Sequence, residues 1–335
     1  REGFVEPVEP LRRAPHLLAH QLMALGVQQE GGIPVADWWA WIAAASPFRD
    51  LGEVERRLLV DHMIAEGILH ESAGRLALGE RGEKLYGWRN FSELYAVFST
   101  PQTLKVLWGA SEIGAIDVFF AQQEQLANLS FVLGAKAWRA VEIDWDEGIV
   151  RVEPMATSNL ARWQGRPQLL RPELCEAIRA VLSADDMPAD WSQRARVRIT
   201  ELRAEYGIGS APSFELVPDS IGLRLWTFAG GRTNNLLARA LESLLGAKVV
   251  VDNLYIGFRE QAATSEVAIR EALRALRDAG RPDDQDALRF AEQCARGRLS
   301  KFQPCLPEVL ESRYLADTLT DVAGAADLVR RILGR

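Results

Sequence analysis

Three short segments of this sequence combine cations, aromatic rings and glycines in ways that suit polyanion chemistry. In Arg89-Asn90-Phe91-Ser92-Glu93-Leu94-Tyr95 a cation and an amide precede an aromatic strand. Arg89 and Asn90 could contact phosphate from a sheet edge, or Asn90 and Ser92 could only shape a domain junction. In Ala161-Arg162-Trp163-Gln164-Gly165-Arg166 a tryptophan stands between two arginines and is followed by Gly165 and Pro167. Trp163 could stack one base while Arg162 and Arg166 neutralise flanking phosphates, a grip worth roughly 1–3 kcal/mol per base and indifferent to base identity. A tryptophan on a loop is otherwise more often a lid on the core. In Ala229-Gly230-Gly231-Arg232-Thr233-Asn234-Asn235 glycines open a helix. Free N–H groups there attract anions, Arg232 adds a forked donor, and Thr233 or Asn234 could serve as N-cap.

Other chemistries lack their residues. No GxxxxGK[ST] loop, GxSxG elbow or motor acid box occurs, so neither a P-loop nor an α/β-hydrolase site is expected. Gly207-Ile208-Gly209 is a lone GxG without strand–helix context. His16 and His20 stand four apart on a predicted helix, but a third metal ligand is missing, and capping or surface histidines are expected. Cys175, Cys294 and Cys305 are widely spaced and odd in number, which suits buried thiols in a reducing cytoplasm. No catalytic residue and no metal site are expected.

These segments need a scaffold, and hydrophobic periodicity supplies one. Pro15 opens a helix through Leu17, Leu18, Leu22 and Leu25; a second is expected from Pro34 to about Ala45 and a third over 53–66. The Asp37-Trp38-Trp39-Ala40-Trp41 cluster reads as core packing. Residues 68–78 read as a hairpin. Three helices and a hairpin predict a winged helix over 1–88. The exposed positions of the third helix are nearly charge-balanced, so packing against a neighbour is the better expectation than duplex reading. From 89 the pattern turns β-rich: Leu94–Phe98, Thr103–Trp108, an edge over Ala110–Asp117, then a meander of Phe131–Leu133, Trp138–Ile143 and Ile149–Val152. Glu142, Asp144 and Asp146 alternate with apolar residues, as on a sheet wet on one face. Helices are expected over 172–182, 192–205, 233–245, 264–279, 283–296, 306–319 and 323–333, with strands over 213–217, 222–228, 248–252 and 254–258. The fold class is α+β: a winged helix (1–88), then a barrel-like β-rich domain with packed helices (89–335).

The 335 residues carry a net charge of −7, so phosphate binding must come from a local basic strip. No apolar run reaches the length of a membrane span and no signal-peptide layout is present. The start at Arg1, without methionine, is expected of a piece of a longer chain, although tag removal or processing would leave the same end.

Five strings, GWRNFSELYAVFSTP, LGAKAWRAVEIDW, ARWQG, WTFAGGRTNN and DNLYIGF, occur in this order and resemble the region after the motor in large helicase-related (Lhr) proteins of helicase superfamily 2. The resemblance covers nearly the whole chain. It implies an ATP-driven 3′-to-5′ translocase on single-stranded DNA that unwinds duplexes and RNA:DNA hybrids. ATP and Mg would then belong to motor domains upstream, leaving none in this chain, which alone would be inactive as an ATPase. It also implies that Trp163 stacks on a base of the tracking strand, with Arg162, Arg166, Arg232 and Asn234 following as contacts. GGRTNN departs from the GRR-type form, and the tail Ser300–Pro307 suggests a divergent branch. The alternative expectation is an accessory, protein-interaction subunit of a repair or defence complex.

Overall fold

The computed structural model describes residues 5–8, 11, 13–87, 94–95, 97, 103–118, 121, 129–134, 136–155, 168–206, 214–218, 222–259, 264–294 and 298–334. The architecture is α+β. The chain packs into two compact units: residues 8–167 with 292–315, and residues 1–7 with 168–291 and 316–335. This grouping differs from the expected 1–88 and 89–335, because long-range packing groups segments that are distant in sequence.

The first unit begins with helices α1 (Pro15–Gln28), α2 (Trp38–Ile42) and α3 (Glu53–Ala65), strands β1 (Ile33–Pro34), β2 (Leu69–Ser72) and β3 (Arg75–Leu78), and helix α4 (Glu80–Tyr86). The strands form a sheet in the order β1-β3-β2. The second helix starts later than its periodicity predicts, because Ile33 and Pro34 pair with Leu76 and Arg75. Proline lacks an N–H but is tolerated on an edge strand. Leu18, Leu22, Leu59, Met63 and Leu76 are fully buried together, each contributing roughly 1.5–3 kcal/mol. Phe302, Cys305 and Leu306 complete this core, so most of the Ser300–Pro307 segment is packed inside, with Pro304 exposed. Trp38 joins the core, but Trp41 remains 47% exposed. Leu94 and Tyr95 are not in a strand, and the remainder of WRNFSELYAVF, apart from Val97, lies outside the described residues.

The same unit contains β4 (Thr103–Trp108), β5 (Ser111–Asp117), β6 (Ser130–Leu133), β7 (Lys136–Asp144) and β8 (Ile149–Pro154). They form a curled half-barrel in the order β5-β4-β8-β7-β6. All neighbours are antiparallel except β4 and β8: β6, β7 and β8 form the meander expected, and β4 joins it by a parallel pairing that was not. The curl brings its edge strands together: a Cβ on Gly114 of β5 would lie 3.0 Å from Leu133 Cδ2 of β6. Val106, Ile116, Phe131 and Val150 fill the concave side with no exposure. Outside, Arg139 pairs with Glu153 and Arg151 with Glu142, while Asp144 Oδ1 accepts the Asp146 and Glu147 amides in the turn. These acids serve the sheet and its turn.

The second unit contains α5 (Pro172–Ser183), α6 (Gln193–Tyr206), β9 (Leu216–Pro218), β10 (Gly222–Trp226), α7 (Gly231–Leu245), β11 (Val249–Val251), β12 (Tyr255–Arg259) and α8 (Glu266–Asp278). Most of α9 (Asp284–Cys294) and all of α11 (Val322–Leu333) belong to this unit as well, whereas residues 308–315 of α10 (Glu308–Leu319) belong to the first. Its antiparallel sheet has the order β11-β12-β10-β9. Leu237, Leu241, Ile256, Phe258, Leu273 and Leu328 form the core that α7, α8 and α11 share with one sheet face. Cys175, Leu182, Trp226 and Phe228 form a second cluster with Tyr255.

Candidate nucleic-acid interface

The Gly230-Gly231 segment forms a corner where three stretches of chain meet. Gly230 is the N-cap of α7 with φ +85°, a conformation that favours glycine. A Cβ there would lie 2.5 Å from Leu170 O, and one on Gly231 would lie 2.6 Å from Asn253 Oδ1 and 2.7 Å from Leu169 Cδ2. The glycines therefore admit the strip at 168–172, which takes the approach expected for a phosphate. Gly231 N donates to Leu170 O at 3.2 Å and Gly230 N to Asn253 O at 3.0 Å, so two N–H groups at this helix start are already spent.

The polar side chains after the glycines are spent internally as well. Asn234 has no exposure; its Nδ2 donates to Asp252 O at 2.7 Å and Asn253 O at 3.2 Å, and its Oδ1 accepts from Thr227 Oγ1 at 2.8 Å. It holds the corner together and presents no amide outward, contrary to its expected place among the strand contacts. Arg232 is exposed, yet its guanidinium donates to Thr320 O at 3.0 Å and Asp317 O at 2.7 Å. With Asn235 Nδ2, which donates to Leu319 O, it satisfies carbonyls at the C-terminal end of α10, where cations are favoured. Thr233 Oγ1 donates to Asp321 Oδ2, and Asp321 Oδ1 caps α11 at Gly324 N.

Asn253 escaped the sequence reading. Its Oδ1 accepts the Leu170 amide at 2.8 Å and its Nδ2 donates to Gln168 O at 3.0 Å, so one side chain clasps the strip that follows the ARWQG segment. The sequence hints at it only by its place in the DNLYIGF string and in a turn between two apolar runs. Arg89, Asn90, Arg162, Trp163 and Arg166 lie outside the described residues.

On and beside α3 the arginines Arg13, Arg56 and Arg57 have partners close by. Arg13 pairs with Glu55, Arg57 with Glu53 at 3.6 Å, and the Arg56 guanidinium lies 3.8 Å from the Trp39 ring centre. A cavity of about 330 Å³ beside α1 and α2 is lined mainly by apolar residues including Leu17, Trp41, Phe48 and Val97. His20 Nε2 bonds Leu94 O at 2.7 Å and its Nδ1 meets Gln21 Nε2 at 3.2 Å, so the polar groups at its wall are already engaged.

His16 and His20 are interior groups, not the surface or capping pair expected. His16 is 5% exposed and its ring centre lies 4.2 Å from that of Tyr314; burial pushes its pKa down to about 4. Burial pushes the Cys175 thiol up to about 11, and does the same to Cys305, which contacts Tyr86 Oη at 3.2 Å. Among the described residues no group of three or more His, Cys, Asp or Glu side chains could hold a metal, and no helix is long and apolar enough to cross a membrane. No protein-family profile, no curated protein and no solved structure matches this chain.

Proposed function

We propose that this chain is the strand-gripping, non-motor part of an Lhr-type 3′-to-5′ DNA helicase. Trp163 stacks on a base of the tracking strand, and Arg162 and Arg166 hold the adjacent phosphates. The ATPase belongs to motor domains elsewhere. On this reading α1–α3 with the β2–β3 hairpin are a winged helix that packs against a neighbour, since Arg13, Arg56 and Arg57 already have partners. The half-barrel and the second unit are the family-specific β-rich part.

One observation supports the reading most. Two of the five strings that carry the resemblance, WTFAGGRTNN and DNLYIGF, meet through Thr227, Asn234 and Asn253, and Asn253 also clasps Gln168 and Leu170, just after ARWQG. Two neighbouring strings and the distant strip at 168–170 thus share one polar corner, as expected if they serve one device. Stacking on tryptophan tolerates any sequence, and phosphate contact makes binding salt-dependent. A labelled single-stranded oligonucleotide, titrated with the chain at several salt concentrations and competed with duplex, tests this. Salt-sensitive binding with preference for the single strand is expected; no salt-sensitive binding would count against the proposal.

An accessory, protein-interaction subunit is the second reading, favoured by the engaged cations of α3 and the net charge of −7. Stable capture of one defined repair or defence protein, with no DNA contact, would select it.

A further inference from the structure

Trp108 ends β4 and is 48% exposed. Its ring centre lies 5.5 Å from that of Trp138, with the planes tilted by 54°. Trp138 is 3% exposed and its indole N–H donates to Leu133 O at 2.9 Å. The inner ring is therefore fixed and satisfied, a firm backing for an outer ring that still offers surface. A lid on the core would need only the side of Trp108 that meets Trp138, and the exposed remainder forgoes hydrophobic gain.

Among the described residues the surroundings of the ring are open. Gly109 and Gly134, in the two turns at this end of the sheet, have φ of +59° and nothing within 4 Å of where a side chain would begin. Lys136 is exposed and pairs with Leu133. It stands two residues from Trp138, which puts both on the same face. Glu112 pairs with Leu107, one register step from Trp108, and so belongs to the opposite face. Glu142 and Glu153, further round the sheet, are paired with Arg151 and Arg139. The mouth of the half-barrel thus combines a backed aromatic ring, a cation and two bare turns.

We propose that this mouth is a second base-stacking site for single-stranded DNA, with an unstacked base on Trp108 and a neighbouring phosphate at Lys136. Curled sheets bind strands in this way, with rings taking bases of any kind and cations following the backbone. The site rests on the reading of the chain as a strand-gripping module and deepens it, since a second stacked base lengthens the grip.

The test uses the full chain and a fluorescein-labelled oligothymidine. Trp108→Ala is expected to weaken binding about 5- to 150-fold, and Trp108→Phe to retain most of it. Lys136→Glu is expected to weaken binding and to flatten its salt dependence. Lys136 is an exposed strand-end residue, so this variant decides the matter even where Trp108→Ala fails to fold. Wild-type affinity in Trp108→Leu and Lys136→Glu, alongside a loss in Trp163→Ala, would overturn this site and leave the strand-gripping reading standing. A wild-type chain that binds no strand at any salt would overturn both.

Discussion

Asn253 and Leu170 stand 83 residues apart, and Asn253 Oδ1 accepts the Leu170 amide at 2.8 Å. The bond fixes the strip that follows ARWQG against the glycine corner at the start of α7. Asn253→Ala removes it together with donation to Gln168 O and leaves polar backbone groups unpaired. The expected cost is about 1–3 kcal/mol, read as a lower urea midpoint with unchanged slope. Gly231→Ala is expected to be at least as damaging, since its Cβ would fall 2.6 Å from Asn253 Oδ1. Wild-type midpoints for both would refute the clasp.

Asn234 and Arg232 separate structural from strand-binding roles. Asn234→Ala leaves Asp252 O without its amide partner and Thr227 Oγ1 with only its longer bond to Leu254 O, with an expected loss of about 1–3 kcal/mol. Arg232→Ala frees carbonyls at the end of α10 and is expected to cost about 1 kcal/mol. For both, single-strand affinity of the folded variant should equal that of wild type. A selective loss of affinity at full stability would restore them as contacts.

His16 makes stability depend on pH. Its folded pKa of about 4 lies below the ordinary 6.5 because burial disfavours the charged ring, and its place in the first turn of α1 works in the same direction. The unfolded chain therefore binds the extra proton between these values. The His16 contribution is complete above pH 6.5 and is lost as pH falls towards 4, to the extent of roughly 3 kcal/mol. Between pH 7.5 and 4 the denaturation midpoint of wild type should fall more steeply with acid than that of His16→Phe. Parallel pH profiles would contradict the assignment.

Thiol chemistry should rank the cysteines by burial. Cys175 and Cys305 have no exposure and thiols pushed up to about 11 by that burial, and thiolate is the reactive form. Cys294 is only partly buried. At pH 8 one thiol, Cys294, is expected to react promptly with a disulfide reagent, and the other two only on unfolding. Immediate labelling of all three would refute the packing around Cys175 and Cys305.

The helices were largely legible, because apolar spacing and caps act locally. Pro15, Pro172 and the Thr233–Leu245 pattern each marked a helix that is present. Pro34 reads as a helix start because the pairing of Ile33 with Leu76 and of Pro34 with Arg75 joins segments more than 40 residues apart, which no local pattern encodes. The parallel β4–β8 pairing was hidden for the same reason. At the glycine corner the sequence marked the right place but assigned the wrong occupant. Glycines before a helix predict close approach, and what approaches is the strip at 168–172. Asn253 and Trp108 gain meaning only from their neighbours in space.

The central claim is that the chain grips single-stranded DNA through Trp163 and its arginines. Fluorescence anisotropy of a labelled oligothymidine with wild type, Trp163→Ala and Arg162→Ala/Arg166→Ala measures it directly. The account predicts that Trp163→Ala weakens binding about 5- to 150-fold at fixed salt. It predicts that the double arginine variant lowers the slope of log affinity against log salt by about 1.4, near 0.7 per phosphate contact. Equal affinities and equal slopes for all three proteins would contradict it.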